Sequence, residues 1–107
     1  MANTAMASNT TVELDRYVVT ALMRDLVGHD RSASAFLVYL AIEAEAPGGK
    51  ALLSHSALAE RTGLSKRACQ NAIALLARRK LIEVVRRRDT EPAHYRPLRP
   101  WVRSSGA

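Results

Sequence analysis

A single cysteine, Cys69, stands in the whole chain, which excludes an internal disulfide and any zinc site built on several thiolates, and fits a reducing cytoplasm. Aromatic residues make up only 5% of the 107 residues, so the core has to be assembled mostly from Ala, Leu, Val and Ile. No segment approaches the ~20 apolar residues of a membrane span, and the N-terminal MANTAMASNT has no basic stretch followed by a long apolar run. A soluble protein that is not exported is expected. The three histidines, His29, His55 and His94, lie far apart without the spacing of metal ligands. No Ser-His-Asp order, glycine-rich phosphate loop or paired carboxylates in a recognisable frame occurs, so neither catalysis nor a metal or cofactor is expected.

Acidic side chains are scarce in one half only. Residues 1–53 hold four basic against six acidic side chains, a net charge of −2, whereas residues 54–107 hold twelve Lys or Arg against four acids, a net charge of +8. A polyanion such as nucleic acid neutralises that half best; the competing reading of charge alone is a solvated basic surface. Arg strongly outnumbers Lys and Ala is abundant, as in proteins of GC-rich bacterial genomes. The length fits one domain with a modest core.

Met1 to about Thr10 is small and polar with no hydrophobic period and reads as a disordered tail, as do residues 104–107, leaving 11–103 as the domain. From Val12 to Val27, the apolar residues Val12, Leu14, Tyr17, Val18, Ala21, Leu22 and Leu26 allow a helix, yet Tyr17, Val18, Val19 and Thr20 form a β-prone cluster. Either a helix throughout, or a strand at 16–20 followed by a helical turn, satisfies the pattern. Gly28, His29 and Asp30 break it, and Asp30 or Ser32 can cap the helix that runs to about Ala46. Its expected inner stripe is Ala33, Phe36, Leu37, Leu40, Ala41 and Ala44. Val38, Tyr39 and Ile42 add apolar surface on other sides, to be covered by a second subunit or by the N-terminal segment. Pro47, Gly48 and Gly49 predict a loop.

Ser54 is placed to cap a helix from about His55 to Arg61 with Leu58 and Ala59 facing inward, and Gly63 supplies the left-handed residue that allows a sharp turn. Ser65 caps the next helix, whose inner stripe is Cys69, Ala72, Ile73 and Leu76. Cys69 therefore reads as a core thiol more than as a redox sensor activated by Lys66 and Arg67. With that stripe inside, Lys66, Arg67, Gln70, Asn71 and Ala74 face outward. Arg and Lys can donate to guanine N7 and O6, and Gln and Asn can pair with the adenine edge. After Arg78, Arg79 and Lys80, the run Leu81 to Val85 predicts a strand, Asp89 to Pro92 a turn, and His94 to Leu98 a returning strand. Tyr95 and Leu98 are its packing candidates, and Pro97 restricts its end to an edge. Arg86, Arg87 and Arg88 then project from the hairpin toward phosphates or an adjacent minor groove.

Residues 54–98 resemble the winged helix-turn-helix domains of bacterial transcription regulators and plasmid replication initiators. The residues that carry the resemblance are Ser54, Leu58-Ala59, Gly63, Ser65, Cys69 and Leu81-Ile82, with the helix over 31–45 as the family's first helix. Two positions depart from the pattern: Ala68 stands where Thr is common, and Lys80 replaces the usual Gly before the wing. The resemblance implies a mainly α fold with a small β-hairpin, the helix-turn-helix at 54–80 and the wing at 81–98. Double-stranded DNA is the implied partner of a cytoplasmic, nucleoid-associated homodimer. The implied DNA contacts are Ser54, Ser65, Lys66, Arg67, Gln70, Asn71, Arg78, Arg86, Arg87 and Arg88. No room is left for a separate effector domain, so a signal would act on the N-terminal helices or through a partner protein. The other readings are a DNA-binding module of a replication or mobile-element system, a winged-helix module that binds protein, and RNA binding, against which the few aromatics count.

Overall fold

The computed structural model describes residues 10–45, 51–86 and 93–102. In chain order they form helix α1, wound in two stretches, Val18–Leu22 and Arg24–His29; helix α2, Ala33–Glu45; strand β1, Ala51–Leu52; helix α3, His55–Thr62; helix α4, Lys66–Arg78; and strands β2, Ile82–Val85, and β3, His94–Pro97. No helix among the described residues is long and apolar enough to cross a membrane. The loop expected at Pro47, Gly48 and Gly49 lies outside the described residues.

The segment with two possible readings is helical. Val18, Leu22 and Leu26, at a spacing of four, are buried in the core cluster they share with α2, and a strand would have sent successive side chains to opposite faces. The β-prone cluster is accommodated by a wide winding in which backbone N–H groups reach five residues back, Met23 to Val18 and Asp30 to Asp25. Thr20 Oγ1 donates to the Arg16 carbonyl at 3.0 Å and so satisfies an acceptor of the first turn. Of the two candidate caps for α2, Ser32 takes the role, its Oγ accepting from the Ala35 N–H at 3.1 Å.

Helix α2 is the centre of the fold, packed against α1, α3, α4, β1 and β3. Its inner face differs from the expected stripe. Ala35, Phe36, Val38, Tyr39, Ile42 and Glu43 are buried, whereas Ala33, Leu37 and Ala44 are exposed and Leu40 and Ala41 half-buried. A helix apolar on nearly every side offers no moment to orient it, so its neighbours choose the face. Val38, Tyr39 and Ile42 are fully covered within one protomer, by the core cluster that Leu22 and Leu26 of α1 share with α3 and α4.

Among the described residues, the one charged group in this core is Glu43. Its Oε2 accepts from the Tyr39 hydroxyl at 2.5 Å, and Arg99 donates to it twice, Nε to Oε2 at 3.1 Å and Nη2 to Oε1 at 2.6 Å. Burial, and then the bond to Glu43, push the Tyr39 hydroxyl far above its ordinary pKa, while the Glu43 bond raises that of Arg99. Beside this pair Trp101 stacks on Tyr17, with ring centroids 4.8 Å apart, meets Tyr39 edge-on at 6.2 Å, and donates Nε1–H to Asp15 Oδ2 at 2.9 Å. The turn at residues 99–102 thus straps α1 to α2.

The sheet runs in the order β1-β3-β2, all antiparallel. β2 pairs Ile82 with Pro97, Glu83 with Arg96, Val84 with Tyr95 and Val85 with His94, forming the expected hairpin. β1, which nothing in the sequence announces, adds to the other side of β3 through Ala51–Tyr95 and Leu52–His94. β3 is therefore central at His94 and Tyr95, and at Pro97 its neighbour among the described residues is β2, consistent with the edge position that a residue without an N–H favours. Tyr95 is buried as expected; Leu98 is not, being 39% exposed, because the chain leaves the sheet there after one last bond, Leu98 N–H to the Leu81 carbonyl at 2.9 Å.

Asp30 joins the α1–α2 corner to the end of α4, pairing with Arg79 and accepting at 3.0 Å from His29. The His29 hydrogen bond holds its carboxyl below the ordinary 3.8, partial burial opposes this, and the Arg79 guanidinium adds to the lowering. A carboxyl depressed on folding contributes stability above its ordinary pKa and loses it as pH falls through the folded value. Asp30→Asn is accordingly expected to lower the urea midpoint at pH 7 and to converge on wild type as pH falls through the lowered pKa of the folded state; a gap that stays constant through that fall would assign Asp30 a purely steric role. Glu43→Ala is expected to cost about 1–3 kcal/mol, read from the same unfolding curves, because it leaves the buried Tyr39 hydroxyl without an acceptor. Arg99, 43% exposed, returns to water and adds little.

Candidate nucleic-acid interface

The angle between α3 and α4 is set by local chemistry. Ser54 Oγ accepts from the Ala57 N–H and Ser65 Oγ from the Ala68 N–H, each at 3.0 Å, so both helices start with a satisfied backbone donor. Gly63, at φ +80°, closes α3 by donating its N–H to the Ala59 carbonyl at 2.8 Å, a conformation in which a Cβ would be strained. Thr62 Oγ1 holds the turn from inside, donating to the Leu58 carbonyl at 2.7 Å and accepting from the Leu64 N–H at 3.2 Å. Leu58 and the whole predicted stripe of α4, Cys69, Ala72, Ile73 and Leu76, are buried, with Ala59 half-buried against them. The Cys69 thiol is a core group, 3.9 Å from Thr62 Oγ1.

The opposite face of α4 carries Lys66, Arg67, Gln70, Asn71, Ala74 and Arg78, all exposed and each three or four residues from another member of the face. Helix α4 contains no acidic residue, and among the described residues none of these polar side chains has a hydrogen-bond or ion-pair partner. Four other arginines are neutralised by acids. Arg61 pairs with Glu45, Arg79 with Asp30, Arg96 with Glu83 across the hairpin, and Arg99 with Glu43. Among the described residues of the second half, the cations left without an acid are thereby Lys66, Arg67, Arg78, Lys80 and Arg86. Ala68, at the departure from the family pattern, is half-buried and brings no polar group to the face.

The second departure, Lys80, has a conformational role. The Lys80 N–H donates to the Ala77 carbonyl at 3.0 Å and the Leu81 N–H to the Leu76 carbonyl at 2.9 Å, the paired closure that ends a helix through one left-handed residue. Lys80 is that residue, at φ +59°, so it occupies the place where Gly is usual, at a steric cost of roughly 1–2 kcal/mol. Leu76 and Leu81, both buried, supply the apolar pairing that accompanies this closure and redirect the chain into β2.

Of the wing arginines, Arg86 is exposed at the end of β2, while Arg87 and Arg88 lie outside the described residues. Sequence reasoning left Glu43, Arg99 and Trp101 unassigned. Glu83 and Arg96 could have been matched from the hairpin register; the Glu43–Arg99 pair, separated by 56 positions, had no local signal.

Residues 32–82 match the family of the helix-turn-helix domain, a span that starts at the cap of α2 and ends on the first residue of β2. No curated protein and no solved structure matches the chain significantly. Residues 32–82 thus carry a helix-turn-helix domain, and with the glycine turn between two serine-capped helices and the antiparallel hairpin that follows them the fold is that of a winged helix-turn-helix.

Proposed function

We propose that this protein binds double-stranded DNA with α4 in the major groove and acts as a bacterial transcription regulator, working as a homodimer. The observation that carries the reading is the outer face of α4, where five exposed polar or cationic side chains have no partner among the described residues while four other arginines are neutralised by acids. Lys66 and Arg67 offer donors for guanine, Gln70 and Asn71 the paired donor and acceptor that adenine needs. The Ser54 and Ser65 hydroxyls use an oxygen lone pair on the helix cap and keep the O–H to donate to a phosphate, at helix ends whose dipole favours an anion. Arg78, Arg86, Arg87 and Arg88 supply backbone contacts. Sequencing of the genomic fragments retained by the protein tests the assignment: recovery of promoter regions supports a regulator, and recovery of origin repeats makes it a replication module.

A second copy follows from the reach of one domain, which covers a single half-site. The surface for it is not Val38, Tyr39 and Ile42, which the protomer buries itself, but Val19, Met23 and Val27, spaced by four along α1 and 40–48% exposed. Half-site centres would then lie about 34–36 Å apart or a multiple of it. Sedimentation equilibrium of wild type and Met23→Glu is expected to give a dimer and a monomer respectively; a monomeric wild type on a single half-site removes the dimer.

Alanine at Gln70 or Asn71 is expected to cost roughly 1–3 kcal/mol on the cognate duplex and little on random DNA. Wild-type discrimination in single alanine variants at Lys66, Arg67, Gln70 and Asn71 alike would contradict base reading by this face. For the wing, alanine at any one of Arg86, Arg87 and Arg88 removes a cation from a phosphate and should lower the slope of log affinity against log salt by about 0.9, on cognate and random duplexes equally. An unchanged slope in the triple alanine variant would leave the wing as structure alone.

A further inference from the structure

Behind the DNA-facing side, α1, the end of α4 and the C-terminal turn enclose a cleft of about 240 Å³. Tyr17, Leu22 and Asp25 come from α1, Arg79 and Leu81 from the closure of α4, and Pro100 and Trp101 from the turn. The lining is an apolar and aromatic floor with one carboxylate and one guanidinium. Asp25 has no hydrogen-bond or ion-pair partner for its carboxylate among the described residues. Arg79 spends one donor on Asp30, and a guanidinium carries five N–H donors in a planar fork, so a second carboxylate can be held without breaking the first pair.

We propose that this cleft binds a small amphipathic zwitterion, its ammonium on Asp25, its carboxylate on Arg79 and its apolar body against Leu22, Leu81 and Trp101, and that occupancy is linked to the DNA affinity of α4. The linkage rests on the DNA-binding reading above; the site does not. Size and charge select the class. The volume falls below the roughly 300–1,000 Å³ of pockets for drug-sized ligands, which leaves room for a molecule of amino-acid dimensions, and a separated pair of opposite charges favours a ligand that carries both. The route to α4 is short. The Arg79 N–H closes on the Leu75 carbonyl at 2.9 Å and the Leu81 N–H on Leu76 at 2.9 Å, so two lining residues belong to the hydrogen-bonded end of the recognition helix. Ligand binding shifts that helix only through a difference in affinity between its two settings, and by linkage the duplex then alters ligand affinity by the same factor.

Trp101, the sole tryptophan of the chain, lines the cleft and provides the signal. Its fluorescence is followed in the full chain during titration with L-phenylalanine, phenylacetate and phenethylamine, which carry both charges, the carboxylate alone and the ammonium alone. The expected result is a saturable change with phenylalanine and at least tenfold weaker binding of the other two. Asp25→Asn, which breaks no internal hydrogen bond or ion pair, should weaken phenylalanine about tenfold and leave phenylacetate unaffected; Arg79→Gln should weaken phenylacetate and spare phenethylamine. No saturable change with any probe, or equal affinity for all three in wild type and variants, overturns the site. Duplex affinity measured with and without saturating phenylalanine should differ at least threefold, and an unchanged value overturns the linkage. A protein that binds phenylalanine but no DNA keeps the site and loses the DNA-binding reading, whereas one that binds DNA and none of the probes loses the site alone.

Discussion

The burial requirement of α2 governs the arrangement of everything around it. With Ala35, Phe36, Val38, Tyr39 and Ile42 all buried, its surface has to be covered on several sides, and in a chain of this length the cover comes from each of the other helices and from the sheet. Helix α4 is held by its Cys69–Leu76 stripe, which turns its one polar face outward. The outward polar face is thus a consequence of core packing: the side left to solvent is the side the core cannot use.

Electrostatics then sorts the arginines. Those drawn into pairs with Glu43, Glu45, Asp30 and Glu83 tie segments together; exposed pairs of this kind contribute little each, and the half-buried Arg99–Glu43 bidentate pair is the one with structural weight. It sits among aromatic rings, where Tyr39 completes the hydrogen bonding of a carboxylate that water scarcely reaches. Among the described residues of the second half, cations without an acid partner are left on α4, at Lys80 and at Arg86. A net charge counted from the sequence cannot make this division, because it depends on which acids the fold brings within reach.

Helix ends do the remaining work of orientation. Two serine caps, one glycine and one lysine in the left-handed region decide where α3 stops, where α4 starts and how the chain enters β2. The lysine at position 80 tolerates a conformation suited to glycine because two backbone hydrogen bonds and the Leu76–Leu81 pairing hold it there.

Local chemistry made the helix-turn-helix legible in the chain itself. The caps at Ser54 and Ser65, the turn at Gly63, the stripe of α4 and the β2–β3 hairpin all depend on interactions between residues near one another in sequence, so their spacing determined them. The exposed set Lys66, Arg67, Gln70, Asn71 and Ala74 followed by elimination, and the fold adds Arg78 to it. What depended on distant partners was decided by the tertiary structure alone. The β-prone Tyr17–Thr20 cluster became helix because Val18, Leu22 and Leu26 could bury in the core cluster they share with α2. The face of α2 shifted from the expected stripe to Val38, Tyr39 and Ile42 because a helix apolar all round has no preferred side until its neighbours arrive. Strand β1 exists because β3 had an open edge, and Glu43 is stable inside because Arg99, far along the chain, folds back onto it.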